Sequence, residues 1–377
     1  MPSPKNLDAS SLAVVYDWMT VYGGSERLIS AILEIYPQAK LHALLHHAPA
    51  FENTPLANLL VRTSFMQSLP AVHRYYRSLL PLMPFAIETM NANDHGVVLS
   101  VSHAVAHTIR TDMSQIHISY ICTPMRYAWH LRDDYLRLHG LDRPLTSWLA
   151  RFVLERIRRW DRKHAKHADH LLAISRWTAG RVEQAWGRQA RVIYPPVDIE
   201  RFQPRKQRDD FYLLVMRLVP YKMGLEIVKA FNQLKLPLIV VGAGPEFNHI
   251  AKAAGNTVRM LNHQPDPIVT DLMNRAKAFV YMAAEDFGIA MVEAQAAGCP
   301  VIAYRQGGAA EIVRNGETGL LYQEQTAESM MDAVSQFERR ASSFESQSAR
   351  QNAARFSRQR FREEFTAYMD PLMNHHH

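Results

Sequence analysis

Two cations follow the first apolar run of the C-terminal half. Arg217 and Lys222 lie five positions apart in VMRLVPYKMG, after the run FYLLVMRL. Arginine offers a forked pair of N–H donors and lysine a point charge, and together they suit a diphosphate. A departing diphosphate develops negative charge that such cations stabilise. The alternative interpretation is a pair of solvated loop cations.

A strand-to-helix turn is predicted in AAEDFGIAMVEAQAAGCPVIAY, residues 283–304. The pattern indicates a strand ending at about Met282, a turn over Glu285 to Gly288 and a helix from about Ile289 to Ala297. Gly298 is expected to end the helix. The N-terminus of such a helix presents backbone N–H groups at its positive end, which favours phosphate oxygens.

Two carboxylates flank this turn. Glu285 and Glu293 are eight positions apart, which places Glu293 about two turns into the predicted helix. A carboxylate there cannot bind phosphate, but it can accept two hydrogen bonds from a vicinal diol such as a ribose. The alternative is that Glu285 is a capping charge and Glu293 a solvated helix residue. The apolar neighbours of Glu293 favour a placement for binding.

Other motifs are weak or absent. Gly23 and Gly24 follow the first apolar run and permit close approach of a ligand or a positive φ. They do not form a G-x-G-x-x-G fingerprint. Gly242 to Gly244 predicts only a turn. The sequence contains no D-x-D triplet, no G-x-S-x-G motif and no cluster with metal-ligand spacing.

The composition excludes several classes of protein. The 377 residues carry a formal net charge of +7, and 47% of them are hydrophobic, which is too many for a disordered chain. Two distant cysteines argue against a disulfide framework or a cysteine-based zinc site. No apolar run reaches the length of a membrane span, and the first residues lack the layout of a secretion signal. We therefore expect a cytoplasmic protein without nucleic-acid partners.

Short apolar runs alternate with helical patterns in both halves of the chain. Such runs are typical of parallel strands that are buried on both faces and joined by helices. The predicted strands lie in LAVVYDW, VVLSVS, HISYIC and HLLAIS, then in FYLLVMRL, PLIVVGAG, AKAFVYMA and PVIAY. The pattern predicts an α/β fold of two doubly wound, Rossmann-like domains.

A proline-containing connector near Tyr194 to Pro204 separates the two halves. We expect an N-terminal domain over residues 1–200, a C-terminal domain over 201–355, and a last helix with the tag-like His375–His377 over 356–377. Composition does not indicate which domain the last helix, predicted from Ala349 to Met369, packs against. Because open parallel sheets bind ligands at the carboxyl ends of their strands, two facing domains are expected to form a cleft.

These motifs together resemble the retaining glycosyltransferases of family 4, which have the GT-B fold. The C-terminal half carries Arg217…Lys222 followed by EDFGIAMVEAQAAGCPVIAYRQGGAAEIV. The N-terminal half adds YDWMTVYGGSER, SLLPLMPFAIE, SVSHAVA and CTPMRYAW, which resemble the subgroup of bacterial O-antigen and exopolysaccharide mannosyltransferases. The resemblance covers residues 12 to 322.

The resemblance implies a role for each matching residue. Arg217 and Lys222 would bind the donor diphosphate, Glu293 the ribose and Glu285 the transferred sugar. Further donor contacts would come from the backbone of Phe287, Gly288 and Ile289 and from Gly23 and Gly24. The family needs no metal or other cofactor, and it transfers the sugar with retention of configuration. The leaving phosphate oxygen itself helps to deprotonate the acceptor.

The N-terminal half departs from the family at two positions. Cys122 stands where many relatives have a histidine near the donor sugar, and His130 replaces a frequent aspartate. His103 is then the remaining candidate for a catalytic side chain, although a lone histidine at a strand end is often structural. Cys122, Arg126 and Tyr127 are the candidates for acceptor binding.

Two segments mix apolar and basic residues. Arg74 to Phe85 and Arg151 to His164 could both lie on an anionic bilayer. For the second, a helix packed on the sheet with a solvated basic face is an equal alternative. The first is the better candidate for contact with a membrane or a lipid acceptor.

The sequence as a whole favours transfer of a hexose to a lipid-linked glycan in the synthesis of bacterial surface polysaccharides such as lipopolysaccharide. By resemblance, the hexose is mannose and the donor is GDP-mannose. Such an enzyme would work at the inner face of the cell membrane. Two alternatives remain: a nucleotide-sugar 2-epimerase of the same architecture, and a non-catalytic protein that binds a nucleotide sugar.

Overall fold

The computed structural model describes residues 8–130, 132, 136–137, 144–205 and 207–374. The chain forms two compact units, which are Met1–Pro195 with Phe361–His377, and Pro196–Arg360. The first unit therefore ends at Pro195 rather than at residue 200, and most of the last helix belongs to it. The tag-like His375–His377 lie outside the described residues.

The first unit contains a parallel sheet of seven described strands in the order β3-β2-β1-β4-β5-β6-β7. The strands are β1 (Asp8–Tyr16), β2 (Lys40–Ala43), β3 (Val61–Thr63), β4 (His95–Ser102), β5 (Ile116–Ile121), β6 (His170–Ala173) and β7 (Arg191–Val192). Every residue of β4 is buried, because helices and loops cover both faces of the central strands. Apolar clusters on both faces form the core.

Four described helices connect these strands. They are α1 (Gly24–Ile35), α2 (Met83–Glu88), α3 (Pro144–His164) and α4 (Arg176–Trp186). Helix α1 follows β1 directly and buries Leu28, Ile29 and Ile32 against the sheet. Their spacing of three and four positions is the reason that this segment forms an amphipathic helix. In the described part of the chain, no helix is both long enough and apolar enough to cross a bilayer.

The second unit repeats the architecture with six described strands in the order β10-β9-β8-β11-β12-β13, all parallel. The strands are β8 (Tyr212–Val215), β9 (Leu238–Val241), β10 (Val258–Leu261), β11 (Ala278–Tyr281), β12 (Val301–Tyr304) and β13 (Gly319–Tyr322). The helices are α5 (Gly224–Leu234), α6 (Phe247–Ala253), α7 (Asp266–Arg275), α8 (Ile289–Ala296), α9 (Ala309–Ile312), α10 (Ala327–Arg340) and α11 (Ser346–Ala353). The predicted α/β class with two doubly wound, Rossmann-like domains is confirmed.

The predicted single last helix from Ala349 to Met369 is wrong. The chain instead forms α11, a 3-10 turn over Ala354–Phe356 and helix α12 (Arg358–Asn374). Ser357 is extended between them, and its hydroxyl accepts the Arg360 N–H at 3.2 Å, as a residue before a helix does. The apolar residues of α12 belong to the core of the first unit, in which Phe361, Phe365 and Met369 are buried.

Candidate functional site

The predicted donor-binding residues of the second unit follow neighbouring strands. Arg217 and Lys222 follow β8, and Glu285 follows β11, which pairs with β8. Because parallel strands end at the same edge of a sheet, the loops after them meet there. The structure brings Lys222 and Glu285 into direct contact, with Nζ and Oε1 2.8 Å apart.

Glu285 is held from two sides. Its Oε1 accepts the Lys222 ammonium and also the Tyr281 hydroxyl, at 2.5 Å. The side chains of Lys222 and Glu285 are only 16% and 13% exposed. Glu285 thus precedes helix α8, which begins after Gly288, and its carboxylate is paired with a cation. The interpretation of Lys222 as a solvated cation is wrong.

The turn between β11 and α8 is packed against the loop after β12. The Gly308 N–H donates to the Glu285 carbonyl oxygen at 2.8 Å. A Cβ atom on Gly308 would lie 1.6 Å from the Phe287 carbonyl oxygen, and one on Gly307 would lie 2.2 Å from the Glu285 carbonyl oxygen. Only glycine therefore permits this approach of the two backbones. The sequence analysis did not single out Gly307 and Gly308, although the glycine pair after β12 resembles the pair at Gly23 and Gly24.

We expect Gly308→Ala to destabilise the protein and to weaken nucleotide binding, because the new methyl group would push Phe287 and the turn out of position. Overpacking of this kind costs about 1–3 kcal/mol. Thermal unfolding and nucleotide titration measure both effects. Gly180→Ala in α4 is the matched control, since a Cβ there meets nothing within 4 Å and alanine favours a helix by about 0.5–1 kcal/mol. Equal melting temperatures for Gly308→Ala and wild type would contradict this packing.

Arg217 differs from Lys222 in its surroundings. Its side chain is exposed, and within the described residues no carboxylate lies within salt-bridge distance of its guanidinium group. The loop that carries it is fixed by a hydrogen bond from the Val219 N–H to the Arg217 carbonyl oxygen, at 3.0 Å. The interpretation as a solvated loop cation therefore remains open for Arg217 alone.

Glu293 is a buried residue of α8, 8% exposed, so its interpretation as a solvated helix residue is wrong. Its Oε1 accepts a hydrogen bond from the guanidinium of Arg201, which also pairs with Asp266 at 2.9 Å. The sequence analysis missed Arg201, because 92 positions separate it from Glu293. An ion pair holds the carboxylate that the resemblance assigns to the ribose.

The other predicted donor contacts of the second unit lie at the start of α8. Phe287 is buried against Phe356, edge to face, with ring centroids 5.4 Å apart. Gly288 has a φ of 102°, which favours glycine. Gly288 and Ile289 are partly exposed, and the first N–H groups of a helix lack intrahelical partners. Amide groups are thus presented at this position, next to the Lys222–Glu285 pair.

In the first unit, Gly23 precedes helix α1 and Gly24 begins it. The Gly23 N–H donates to Glu26 Oε2 at 2.9 Å, and the Tyr16 hydroxyl donates to Glu26 Oε1 at 2.7 Å. The φ of Gly23 is −142°, so this turn does not use a positive φ. The sequence analysis missed Glu26, although a glutamate three positions after a helix N-cap is typical of a capping box.

His103 follows β4 and lies beside a buried aspartate. Its Nδ1 is 3.1 Å from Asp17 Oδ2, and its ring packs edge-on against Trp18 at 4.5 Å. The carboxylate of Asp17 also accepts four backbone N–H groups, from residues 103, 104, 105 and 106, at 2.6 to 2.9 Å. Burial lowers the pKa of His103, although the neighbouring Asp17 opposes the shift. Asp17, missed in the sequence, fixes the loop after β4 and lies beside the imidazole of His103.

The predicted acceptor-binding residues follow β5. Cys122 is buried, and its N–H donates to the Ser102 carbonyl oxygen at 2.7 Å. Arg126 and Tyr127 are partly exposed, and Tyr127 packs against the core of the first unit. The structure thus places these residues in the same unit as His103.

The second unit matches a known protein family. Residues 197–356 match the family described as glycosyl transferases group 1. Among curated proteins, the chain is 30% identical to a GDP-mannose-dependent alpha-(1-6)-phosphatidylinositol monomannoside mannosyltransferase of Mycobacterium tuberculosis. That alignment covers 53% of the chain and 61% of the relative, so the chain spans less than two thirds of the relative's length.

Solved structures match over nearly the whole chain. The HepE protein of Anabaena in complex with UDP and glucose has a TM-score of 0.70 at 16% identity, covering 96% of this chain and 99% of its own. Sucrose-phosphate synthase of Thermosynechococcus elongatus has a TM-score of 0.71 at 15% identity, covering 97% and 99%. Identities this low establish the fold alone. Together the comparisons support a relationship to the group 1 glycosyl transferases, carried by residues 197–356.

Proposed function

We propose that this protein is a glycosyltransferase that uses a nucleotide diphosphate sugar. The observation that carries the proposal is the contact between Lys222 and Glu285 beside the amide turn that begins α8. It lies at the carboxyl edge of a parallel sheet, where such folds bind ligands. It also lies within the residues that match group 1 glycosyl transferases.

The proposed donor site uses a different chemical group for each part of the ligand. Lys222 and Arg217 neutralise the diphosphate, and the N–H groups of Phe287, Gly288 and Ile289 donate to its oxygens. Glu293 accepts the hydroxyls of the ribose, and Glu285 those of the transferred sugar. Two cations and a helix N-terminus supply the positive charge that a metal ion supplies in other enzymes, so we propose catalysis without metal or cofactor.

The proposed reaction retains the configuration at the anomeric carbon. The bond between this carbon and the diphosphate oxygen breaks, and a bond to the acceptor oxygen forms on the same face of the sugar. The acceptor proton passes to the departing phosphate oxygen. Lys222 and Arg217 stabilise the charge that develops on the diphosphate as it leaves.

The first unit is proposed to supply the remaining contacts. Gly23 and Gly24 would approach the diphosphate, and Arg126 and Tyr127 would contact the acceptor. His103, beside the buried Asp17 carboxylate, is the candidate catalytic side chain. The Cys122 thiol is buried, so this residue is proposed to contribute through its backbone rather than as a replacement for histidine.

Mannose from GDP-mannose is the proposed donor sugar. The mycobacterial relative is a GDP-mannose-dependent mannosyltransferase, which supports this donor. The structurally similar HepE was solved with UDP and glucose. UDP-glucose is therefore the second donor to be assayed beside GDP-mannose. The proposed acceptor is a lipid-linked glycan of bacterial surface polysaccharide synthesis, such as lipopolysaccharide or O-antigen.

Release of the free nucleotide tests the proposal against its rivals. A transferase should release GDP or UDP from its donor slowly by hydrolysis and faster when an acceptor lipid is added. A 2-epimerase would rearrange a UDP-sugar without acceptor and transfer nothing. A binding protein would release no nucleotide. An increased melting temperature with GDP-mannose or UDP-glucose identifies the donor first.

A lipid acceptor requires a surface that contacts the membrane, and we propose α3 for it. Trp148, Leu149 and Phe152 are 72%, 56% and 52% exposed, and exposed arginines flank them. This combination suits an anionic bilayer. The segment Arg74 to Phe85, the better candidate in the sequence, is less suited, because Tyr76, Leu80 and Met83 are buried in it.

We expect the double variant Trp148→Ala/Phe152→Ala to bind anionic vesicles about tenfold more weakly, because it removes two aromatic side chains that insert at the interface. Sedimentation with phosphatidylglycerol vesicles measures this binding. Met113→Ala is the control, since Met113 is a more exposed apolar residue that lies outside α3. Unchanged sedimentation of the double variant would remove α3 from the membrane surface.

A further inference from the structure

Glu26 is a buried carboxyl group in contact with the Gly23–Gly24 turn. It is 8% exposed. Its Oε1 accepts the Tyr16 hydroxyl at 2.7 Å, and its Oε2 accepts the Gly23 N–H at 2.9 Å. Both oxygens are therefore bound by neutral donors, and one of these donors is an amide of the turn itself.

The surroundings of Glu26 make it titratable near neutral pH. Burial raises its pKa to about 7, and the hydrogen bonds from Tyr16 and the Gly23 amide oppose the shift only in part. Tyr16 is the titratable group in direct contact, and it stays a donor because burial and Glu26 raise its own pKa well above the ordinary value. Tyr16 also has a hydrogen bond with the side chain of Ser25, which lowers its pKa, whereas Cys122 raises it. The ring of His103 lies 5.4 Å from that of Tyr16, between centroids. Arg27, next in α1, has its guanidinium over the ring of Tyr22.

We propose that Glu26 is a positioning residue that takes up one proton when an anionic diphosphate binds at the Gly23–Gly24 turn. This inference rests on the proposed function, which places the donor diphosphate at that turn. Protonation removes a negative charge that would otherwise repel the ligand. It also weakens the Glu26 oxygen as an acceptor, so the Gly23 N–H can donate to a phosphate oxygen instead. The proton comes from the solvent and stays on the carboxyl group, and no bond of the donor changes.

Calorimetric titration with an intact sugar nucleotide tests the proposal. GDP-mannose and UDP-glucose suit it, because their diphosphate is esterified at both ends and does not titrate near neutral pH. Titration at pH 7.5 in two buffers of different ionisation enthalpy gives the number of protons taken up. We expect about half a proton or more for the wild type and a value near zero at pH 5.5, where Glu26 is already protonated. Glu26→Gln should bind the donor without proton uptake.

Two further variants separate Glu26 from its neighbours. His103→Asn tests whether His103 takes up the proton instead, and loss of the uptake in that variant would overturn the inference. Tyr16→Phe removes a hydrogen bond that stabilises the Glu26 anion, so the pH of greatest uptake should rise; this shift also tests the proposal if Glu26→Gln does not fold. Donor binding by the wild type without proton uptake would overturn the inference, as would full uptake by Glu26→Gln. If the wild type binds neither donor, the proposed function itself fails.

Discussion

Replacing Lys222 with alanine should lower the turnover number by a factor of at least about 100. The loss of one group that stabilises developing negative charge typically has an effect of this size. Nucleotide affinity should fall as well, because the diphosphate loses a cation in the ground state. Measurement of kcat and of the dissociation constant for GDP or UDP gives both effects.

Lys229→Ala is the matched control for this variant. Lys229 also pairs with a glutamate, Glu226 at 2.8 Å, but on the exposed face of α5. Exposed pairs of this kind contribute little to stability, so we expect its turnover and melting temperature to match those of the wild type. If Lys222→Ala retained normal turnover, the role of Lys222 in leaving-group stabilisation would be refuted.

Replacing Glu285 with glutamine should lower turnover by a similar factor while leaving nucleotide affinity equal or higher. The carboxylate that accepts the Lys222 ammonium is then neutral, so the ammonium is free to bind the diphosphate. Turnover falls because the charged hydrogen bonds to the transferred sugar are lost. This separation of kcat from affinity distinguishes Glu285→Gln from Lys222→Ala.

The double variant Lys222→Ala/Glu285→Gln adds a second test. Because the two side chains are in contact, their effects on turnover should be far from additive. Glu226→Gln, the partner of Lys229 on α5, serves as the control and should behave like the wild type. Additive effects, or weaker nucleotide binding by Glu285→Gln, would contradict the proposed roles.

The part of the site that lies within one segment could be predicted from the sequence. The turn, the start of α8 and its end at Gly298 all follow from residues 283–304. Apolar runs located eight of the thirteen described strands, because strands buried on both faces have few polar residues, but they missed β2, β3, β7, β10 and β13. The contact of Lys222 with Glu285 was not predicted, because it depends on the pairing of β8 with β11, whose loops meet at the common edge of the sheet.

Of the missed residues, Glu26 alone has a local signal, its capping-box spacing from Gly23. The others act across long sequence separations or through the backbone. Arg201 pairs with Glu293, and Asp17 binds the amides of residues 103–106, but no spacing pattern connects such positions. Gly308 is required only because another loop packs against it. The division of the predicted last helix at Ser357 depends on tertiary packing, because Phe361 and Phe365 after it are buried in the core of the first unit. Such contacts are decided by tertiary structure, which local patterns do not encode.

A crystal structure of the protein with intact GDP-mannose or UDP-glucose tests the donor site most directly. We expect the diphosphate oxygens within hydrogen-bond distance of Lys222 Nζ, the Arg217 guanidinium and the N–H groups of residues 287–289. Glu285 should then contact the sugar. A nucleotide bound elsewhere in the protein, with the Lys222–Glu285 pair unchanged and the turn unoccupied, would contradict the assignment of this site and the activity proposed from it.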